Sequence, residues 1–536
     1  MYGKLSRFFC SALLLFPLST LSAATPPPIA AQKLQRAIPA APSHPQPAPI
    51  LTGIPVAPFT LETLNASHLS GVVYAGIRAG LVDHNVGSLA AASSGRRNAV
   101  VPPSGGGSGK LTPIVDATVQ SPSTNASASA LQDVEPSVVA ITAGGVDRTF
   151  SSFITYETST TPRIHYASTT DFSSFQRGAM PAPSGYSISG DPFMDENPYT
   201  GGVAPLRVYC AGIAFNNIFT PQNAPNAIAV WHSDPSDNGN FTASATIADN
   251  RGVGYFLDKP ALAVSWHNST DLGYVYLAYV SYDYVNSNSA IVVARSTDGG
   301  ASFPTKTVIA YGPNSAAAVA NPQIVVSANT GAVYVLWVDF GLNQIQMARS
   351  TDFGVTFGAH EVAGSGTMTT GTLTGGIRAE TVPMARFNST ANSLDVVWHD
   401  NAASGGTQVE YSYKDSTGWH QLTTAVTQFT ANDQFMPAID FNVAGNIVIT
   451  YYDRHADPAN TAYRAYEAYL TATGTRIDAN DGWMGGFDST ASGGGSFIGD
   501  YQGVWDWTYS TGERAVGSWI GVQSSVYDNW LTRISY

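Results

Sequence analysis

The stretch ARSTDGGASF at 294–303 returns as ARSTDFGVTF at 348–357. Both fit the pattern Ser-x-Asp-x-Gly-x-x-Phe, with Ser296, Asp298, Gly300 and Phe303 in the first copy and Ser350, Asp352, Gly354 and Phe357 in the second. Short Ser and Asp side chains can bond the backbone around them, glycine takes positive φ without steric cost, and the aromatic ring can tuck beneath. The pattern therefore reads as a self-capping β-turn. Eroded copies stand at 168–175 (STTDFSSF), 233–241 (SDPSDNGNF) and 413–419 (YKDSTGW). A turn that recurs in this way implies a structural unit that recurs with it.

The unit is visible around the turns. A proline at the head of an apolar run recurs at Pro136, Pro192, Pro260, Pro322, Pro383 and Pro437, with separations of 56, 68, 62, 61 and 54 residues. After the proline come a turn and an alternating strand, such as AVYVLWVD ending at Asp339, SLDVVWHD at Asp400 and NIVITYYD at Asp453. A third strand follows (AIVVARS, QIQMARS, QVEYSYK), then the Ser-Asp turn, then a fourth strand such as TKTVIAYG at 305–312. Tandem four-stranded units of this period predict an all-β chain folded as a β-propeller. A degenerate last unit (GDYQGVWDWTY, RAVGSWIG, DNWLTRISY) brings the count to seven blades, with six as the alternative. That unit has no outer strand of its own, and LTPIVDATV at 111–119 is the expected donor that closes the ring.

At these turns the chain resembles the Asp-box, or BNR-repeat, proteins of the sialidase superfamily, over roughly residues 111–536. The resemblance implies that the boxes lie on the propeller face opposite the active site, and that the chain acts on glycans. It also implies three arginines for a substrate carboxylate, a Tyr–Glu nucleophile and an Asp acid/base. This sequence departs from the pattern, since only Arg378 and Arg454 are candidates for top-face arginines and PRIHY at 162–166 falls on a third strand.

Composition sets other bounds. With 25 basic against 38 acidic residues and a net charge of −13, the chain lacks the basic footprint of a nucleic-acid binder. Residues 1–24 place Lys4 and Arg7 before a short apolar run that ends in small residues, the layout of a secretory signal and too short for a membrane span. A secreted or periplasmic location follows, for a protein expected to be monomeric. Residues 25–110 are rich in Pro, Ala and Gly and read as partly disordered, and 111–536 as the propeller. Cys10 and Cys210 are the only cysteines, and Cys10 lies in the signal, so the mature chain is expected to have no internal disulfide.

If the Ser-Asp turns mark the bottom, the first strand of each unit begins at the top and the second ends there. The first-strand set is Glu135, Asp191, Asp258 with Lys259, Asn321, Glu380 with Arg378, Asp433 with Gln434, and Asp500 with Tyr501. The second-strand set is Glu157, Asp283, Asp339, Asp400 and Asp453, the last followed by Arg454 and His455. Glycoside hydrolysis needs one carboxylic acid to protonate the leaving oxygen and a second carboxylate to stabilise or attack the anomeric carbon. Asp258, Glu380, Asp433, Asp500 and Tyr501 are thus the candidate catalytic residues of an exo-glycosidase. Arg378, Arg454, His455, Trp337 and Trp398 are the candidate substrate contacts. A non-catalytic glycan- or protein-binding propeller is the alternative, in which repeated polar residues only bond the neighbouring blade. No cofactor is implied and no His pair stands at metal-ligand spacing, though a carboxylate ring offers the oxygen ligands that Ca²⁺ takes.

Overall fold

In the computed structural model the described residues run from 123 to 534, apart from short internal stretches, the longest of them 200–205, 423–426, 428–431, 485–488 and 491–496. The expected signal, the Pro- and Gly-rich region and residues 111–119 lie outside the described residues. Strand pairing resolves into seven antiparallel sheets, one per repeat. Blade 3 is representative: Tyr255–Val264, Val275–Asp283, Asn288–Ser296 and Thr305–Gly312, each strand pairing with the next. The fold is a seven-bladed β-propeller, which removes the six-blade alternative.

The ring closes as expected in kind but not in place. Blade 7 takes three strands from the end of the chain (Gly503–Tyr509, Gly512–Gln523 and Val526–Ile534) and its fourth from Thr124–Asn125, which pairs antiparallel with Leu531 and Trp530. The closing strand thus lies downstream of the 111–119 segment. Short as it is, it is well tied. Ala126 N donates to Asn529 O at 2.9 Å, Asn529 N donates to Ser127 Oγ at 3.2 Å, and Ser123 Oγ donates to Met484 O at 2.5 Å. Cys210 is buried and unpaired, so this backbone pairing does the work a disulfide would do elsewhere.

The Ser-Asp turns behave as their composition dictates. Ser296 Oγ donates to Asp298 Oδ1 at 2.7 Å and accepts from Gly300 N at 2.8 Å, while Asp298 accepts from Ser302 N at 2.9 Å. Ser350, Asp352, Gly354 and Thr356 repeat the set at 2.7, 2.8 and 2.8 Å. Each turn also meets the preceding blade, since Tyr209 Oη donates to Gly299 O at 3.0 Å and Tyr276 Oη to Phe353 O at 3.3 Å. Gly354, at φ +77, has no room for a side chain, because a Cβ would stand 2.9 Å from the Tyr276 ring. The turns therefore fasten blade to blade at the bottom, and their aspartates are occupied in doing so.

The recurrent prolines have a specific cause. In blades 1, 2, 3, 4 and 6 the residue before the proline adopts positive φ: Glu135 at 54°, Asp191 at 53°, Lys259 at 47°, Asn321 at 53° and Met436 at 51°. At each of these sites the inner strand shifts register against the second strand, between Val134 and Ser137, Gly190 and Phe193, Asp258 and Ala261, Ala320 and Gln323, and Phe435 and Ala438. Proline has no N–H to lose from the ladder, so it suits a bulge, and the left-handed residue before it is turned out of the sheet.

Starting the chain at residue 131 removes the closing strand and its hydrogen bonds. The expected loss is about 2–4 kcal/mol, from several bonds worth ~0.5–1.5 kcal/mol each, read as a lower denaturant midpoint against the chain begun at residue 120.

Candidate functional site

The bulges place charged side chains at the start of the inner strands, and these meet. Lys259 of blade 3 ion-pairs with Asp500, which leads into blade 7, and stands 3.7 Å from Glu380 Oε2 ahead of blade 5. Arg378 Nη2 lies 2.6 Å from Glu380 Oε2 and 3.2 Å from Asp500 Oδ2. Its guanidinium sits 5.9 Å from the Phe497 ring centroid. Glu135, Asp191 and Asp258 complete the cluster, and all seven side chains belong to residues no more than 6% exposed.

Electrostatics divides these carboxyls into two kinds. Asp500 and Glu380 are held by the two cations. Glu135 and Asp258 have no cation in salt-bridge contact, and burial pushes both well above the usual carboxylate range, with the nearby charge of Asp191 adding to the shift. Lys259 and Arg378 are buried, which alone would favour their neutral forms. Asp500 and Glu380 outweigh that and hold both proton affinities above the ordinary values. Two tyrosines join from the second strands: burial, with Glu135, Asp191 and Asp500 nearby, raises Tyr156, and burial with Asp258 and Glu380 raises Tyr282.

Further along, a small pocket opens between the inner strands. Phe193, Met194, Met384, Ile439, Tyr501 and Gln502 contribute to its wall. Tyr501 Oη donates to Pro192 O at 2.9 Å, linking blade 7 to blade 2. A second buried polar group lies at the far ends of the inner strands. There Asp195 Oδ2 accepts from Val264 N at 2.8 Å, Arg386 stands 3.8 Å from Asp195 and over the Trp505 ring at 4.3 Å, and Asp440 accepts from Asp506 N at 2.7 Å. Burial raises Asp195 to about 6 and Glu196 well above the usual range.

Of the residues singled out from sequence, Asp258, Glu380, Asp500, Tyr501 and Arg378 come together, with Lys259. Asp433 and Arg454 do not join them: they pair with each other at 3.1 Å. Arg454 also donates to Thr374 O and Asn460 O, each at 2.9 Å, and Asp433 accepts from Asn460 Nδ2 at 2.8 Å and Thr407 N at 3.1 Å. This local network fixes loops of blades 5 and 6. His455 is likewise turned to Asp453, whose other oxygen accepts from Gln434 Nε2 at 2.9 Å.

Trp337 and Trp398 are a correction. Both are packed into hydrophobic clusters of the blades, Trp337 with Val335 and Trp398 with Val396, and so belong to the core rather than to the polar cluster. Asp339, two residues after Trp337, closes a hairpin, and so does Asp283. Asp339 Oδ1 accepts from Leu342 N, and Asp283 Oδ1 from Val285 N and Asn286 N, all at 3.0 Å. The side chains that approach the cluster from the second strands stand one position earlier, Tyr156 before Glu157 and Tyr282 before Asp283. The strand period of two identifies them once one inward side chain is known. Among the described residues no group of three or more His, Cys, Asp or Glu is arranged to hold a metal ion.

No family model matches the chain, and no curated protein matches it. Among solved structures it is similar to an α-L-arabinofuranosidase from Fusarium graminearum in complex with an iminosugar inhibitor, at 12% identity over 66% of this chain and 98% of that one, with a TM-score of 0.44. An α-L-arabinanase from Penicillium chrysogenum complexed with arabinobiose aligns at 10% identity over 78% and 99%, with a TM-score of 0.45. The Trypanosoma rangeli sialidase aligns at 12% identity over 78% and 58%, with a TM-score of 0.38. The blade count and the site rest on this chain's own strand pairing and contacts.

Two outcomes are expected of the buried charges. Lys259→Met leaves Asp500 and Glu380 with one cation between them and should cost about 3–5 kcal/mol, measured by denaturant unfolding. The second concerns pH. Burial raises Asp133 and Asp395 to about 7, so below the unfolded value near 4 their contribution to stability is complete, and it is lost as pH rises through 7. Unfolding free energy measured from pH 4 to 8 should therefore carry a falling component that Asp395→Asn reduces.

Proposed function

We propose that this chain is a secreted, glycan-acting propeller of the sialidase-like Asp-box kind, working as an exo-glycoside hydrolase at its central cluster. The observation that supports this is the presence, in one buried site, of carboxyls without a cation beside carboxylates that are ion-paired. Asp258, raised by burial with Asp191 nearby, is the group suited to hold a proton and deliver it to a leaving oxygen. Asp500 and Glu380, ion-paired to Lys259 and Arg378, are suited to face the positive charge that develops at the anomeric carbon. Environments that separate two carboxyls in this way are how acid and base roles are divided in glycosidases. Secretion rests on the N-terminal layout of Lys4, Arg7 and the apolar run that follows.

One observation favours a second reading, a propeller that binds glycans without cleaving them. The cluster is almost wholly buried and its charges pair with one another across blades, the arrangement expected where repeated polar residues only bond neighbouring blades.

A panel of aryl glycosides and natural glycans, scored for both released sugar and binding, separates the two. Release of a terminal sugar, reduced about 10²–10⁴-fold in Asp258→Asn and in Asp500→Asn, is the expected result. Binding with no release from any substrate would establish the second reading instead.

A further inference from the structure

The cluster also bears on which sugars it can take, and this step rests on the glycan-acting reading above. Its two cations are already engaged: Lys259 with Asp500 and Glu380, and Arg378 with the same two carboxylates. Arg454, the other buried cation at this end, is engaged by Asp433 and two backbone carbonyls. In the cluster itself, an incoming carboxylate would have to compete with Asp500 and Glu380 for Lys259 and Arg378.

Hydrogen-bond acceptors are also left over. Both carboxyl oxygens of Asp258 lack a hydrogen-bond partner, as does Asn321 Oδ1, and the two residues are at most 1% exposed. Asn321 Nδ2 donates to Thr381 O at 2.8 Å, which fixes the amide and leaves its oxygen as the spare group beside the Glu380 segment. Asn321 is itself a left-handed bulge residue, and Asp258 immediately precedes one, Lys259. Backbone strain of this kind persists only where the surroundings impose it, and it gathers at functional sites. A buried acceptor without a donor carries a desolvation cost that a donor-bearing ligand recovers.

We propose that the central site selects a sugar that carries no carboxylate, its hydroxyl or amino hydrogens accepted by Asp258 and Asn321, and that it discriminates against uronic and sialic acids. The ion pairing explains the direction: Lys259 and Arg378 are both held by Asp500 and Glu380, so a carboxylate-bearing sugar must compete with those two carboxylates, whereas a neutral or amino sugar need not.

The test uses the full chain and calorimetric titration with matched sets: glucose, glucosamine and glucuronate, then the galacto and manno equivalents, with xylose, arabinose and N-acetylneuraminate added. The expected result is that, in at least one set, the neutral and amino members bind at least about tenfold more tightly than the uronate. Asn321→Leu should weaken that binding about tenfold while the melting temperature reports the fold. Uronate or N-acetylneuraminate binding as tightly as the uncharged sugars would overturn this proposal and leave the glycan-acting reading standing. Absence of binding to every sugar in the panel would overturn both.

Discussion

The left-handed residue before an inner-strand proline is the constraint on which the centre of this molecule depends. An ordinary inner strand alternates its side chains between the two faces of its own blade, so none of them would point along the propeller axis for long. A bulge with an extra residue breaks that alternation and turns one side chain out of the sheet. Five blades do this at the head of their inner strands, and Glu135, Asp191 and Lys259 are delivered to one cluster in this way. Asn321, from a fourth blade, bonds the backbone that follows Glu380. The proline supports the arrangement by giving up no ladder hydrogen bond, and the strain is offset by the packing of neighbouring blades.

Charge then determines what such a ring can be. Two cations among five carboxyls cannot neutralise all of them, and the excess is resolved by burial, which favours the protonated form of Glu135 and Asp258. The same physics acts at the far ends of the inner strands, where Arg386 is the charged partner of Asp195 while Glu196 is raised by burial. The apolar stretch lined by Phe193, Met194, Met384 and Ile439 separates these two polar ends. At the bottom, the Ser-Asp turns hold successive blades through Tyr209 and Tyr276, so the two faces are stabilised by different kinds of contact.

Much of this is legible without coordinates, and the departures have a common origin. The repeat, the blade count, the local role of Asp298 and Asp352, and the position of Asp258, Arg378, Glu380, Asp500 and Tyr501 at the heads of their repeats all follow from recurring sequence patterns. Trp337 and Trp398 read as channel residues because a period of two assigns a face only relative to a reference, and the wrong parity exchanges core for channel. Tyr156 and Tyr282 escape notice for the same reason. Asp433 and Arg454 look available because Thr374 and Thr407 are distant in sequence and Asn460, six residues after Arg454, is brought back to it only by the fold of its loop.

Local sequence is enough to specify the unit: four strands, a self-capping turn and a proline at the head of the inner strand. Hydrogen bonding and backbone geometry within a turn act over a few residues, so a short window contains their causes. Which strand closes the ring, and which carboxyls share a cation, are settled only by tertiary packing. Those outcomes depend on distances between residues hundreds of positions apart, as between Thr124 and Leu531 or Lys259 and Asp500, and on burial, which exists only once the blades have packed.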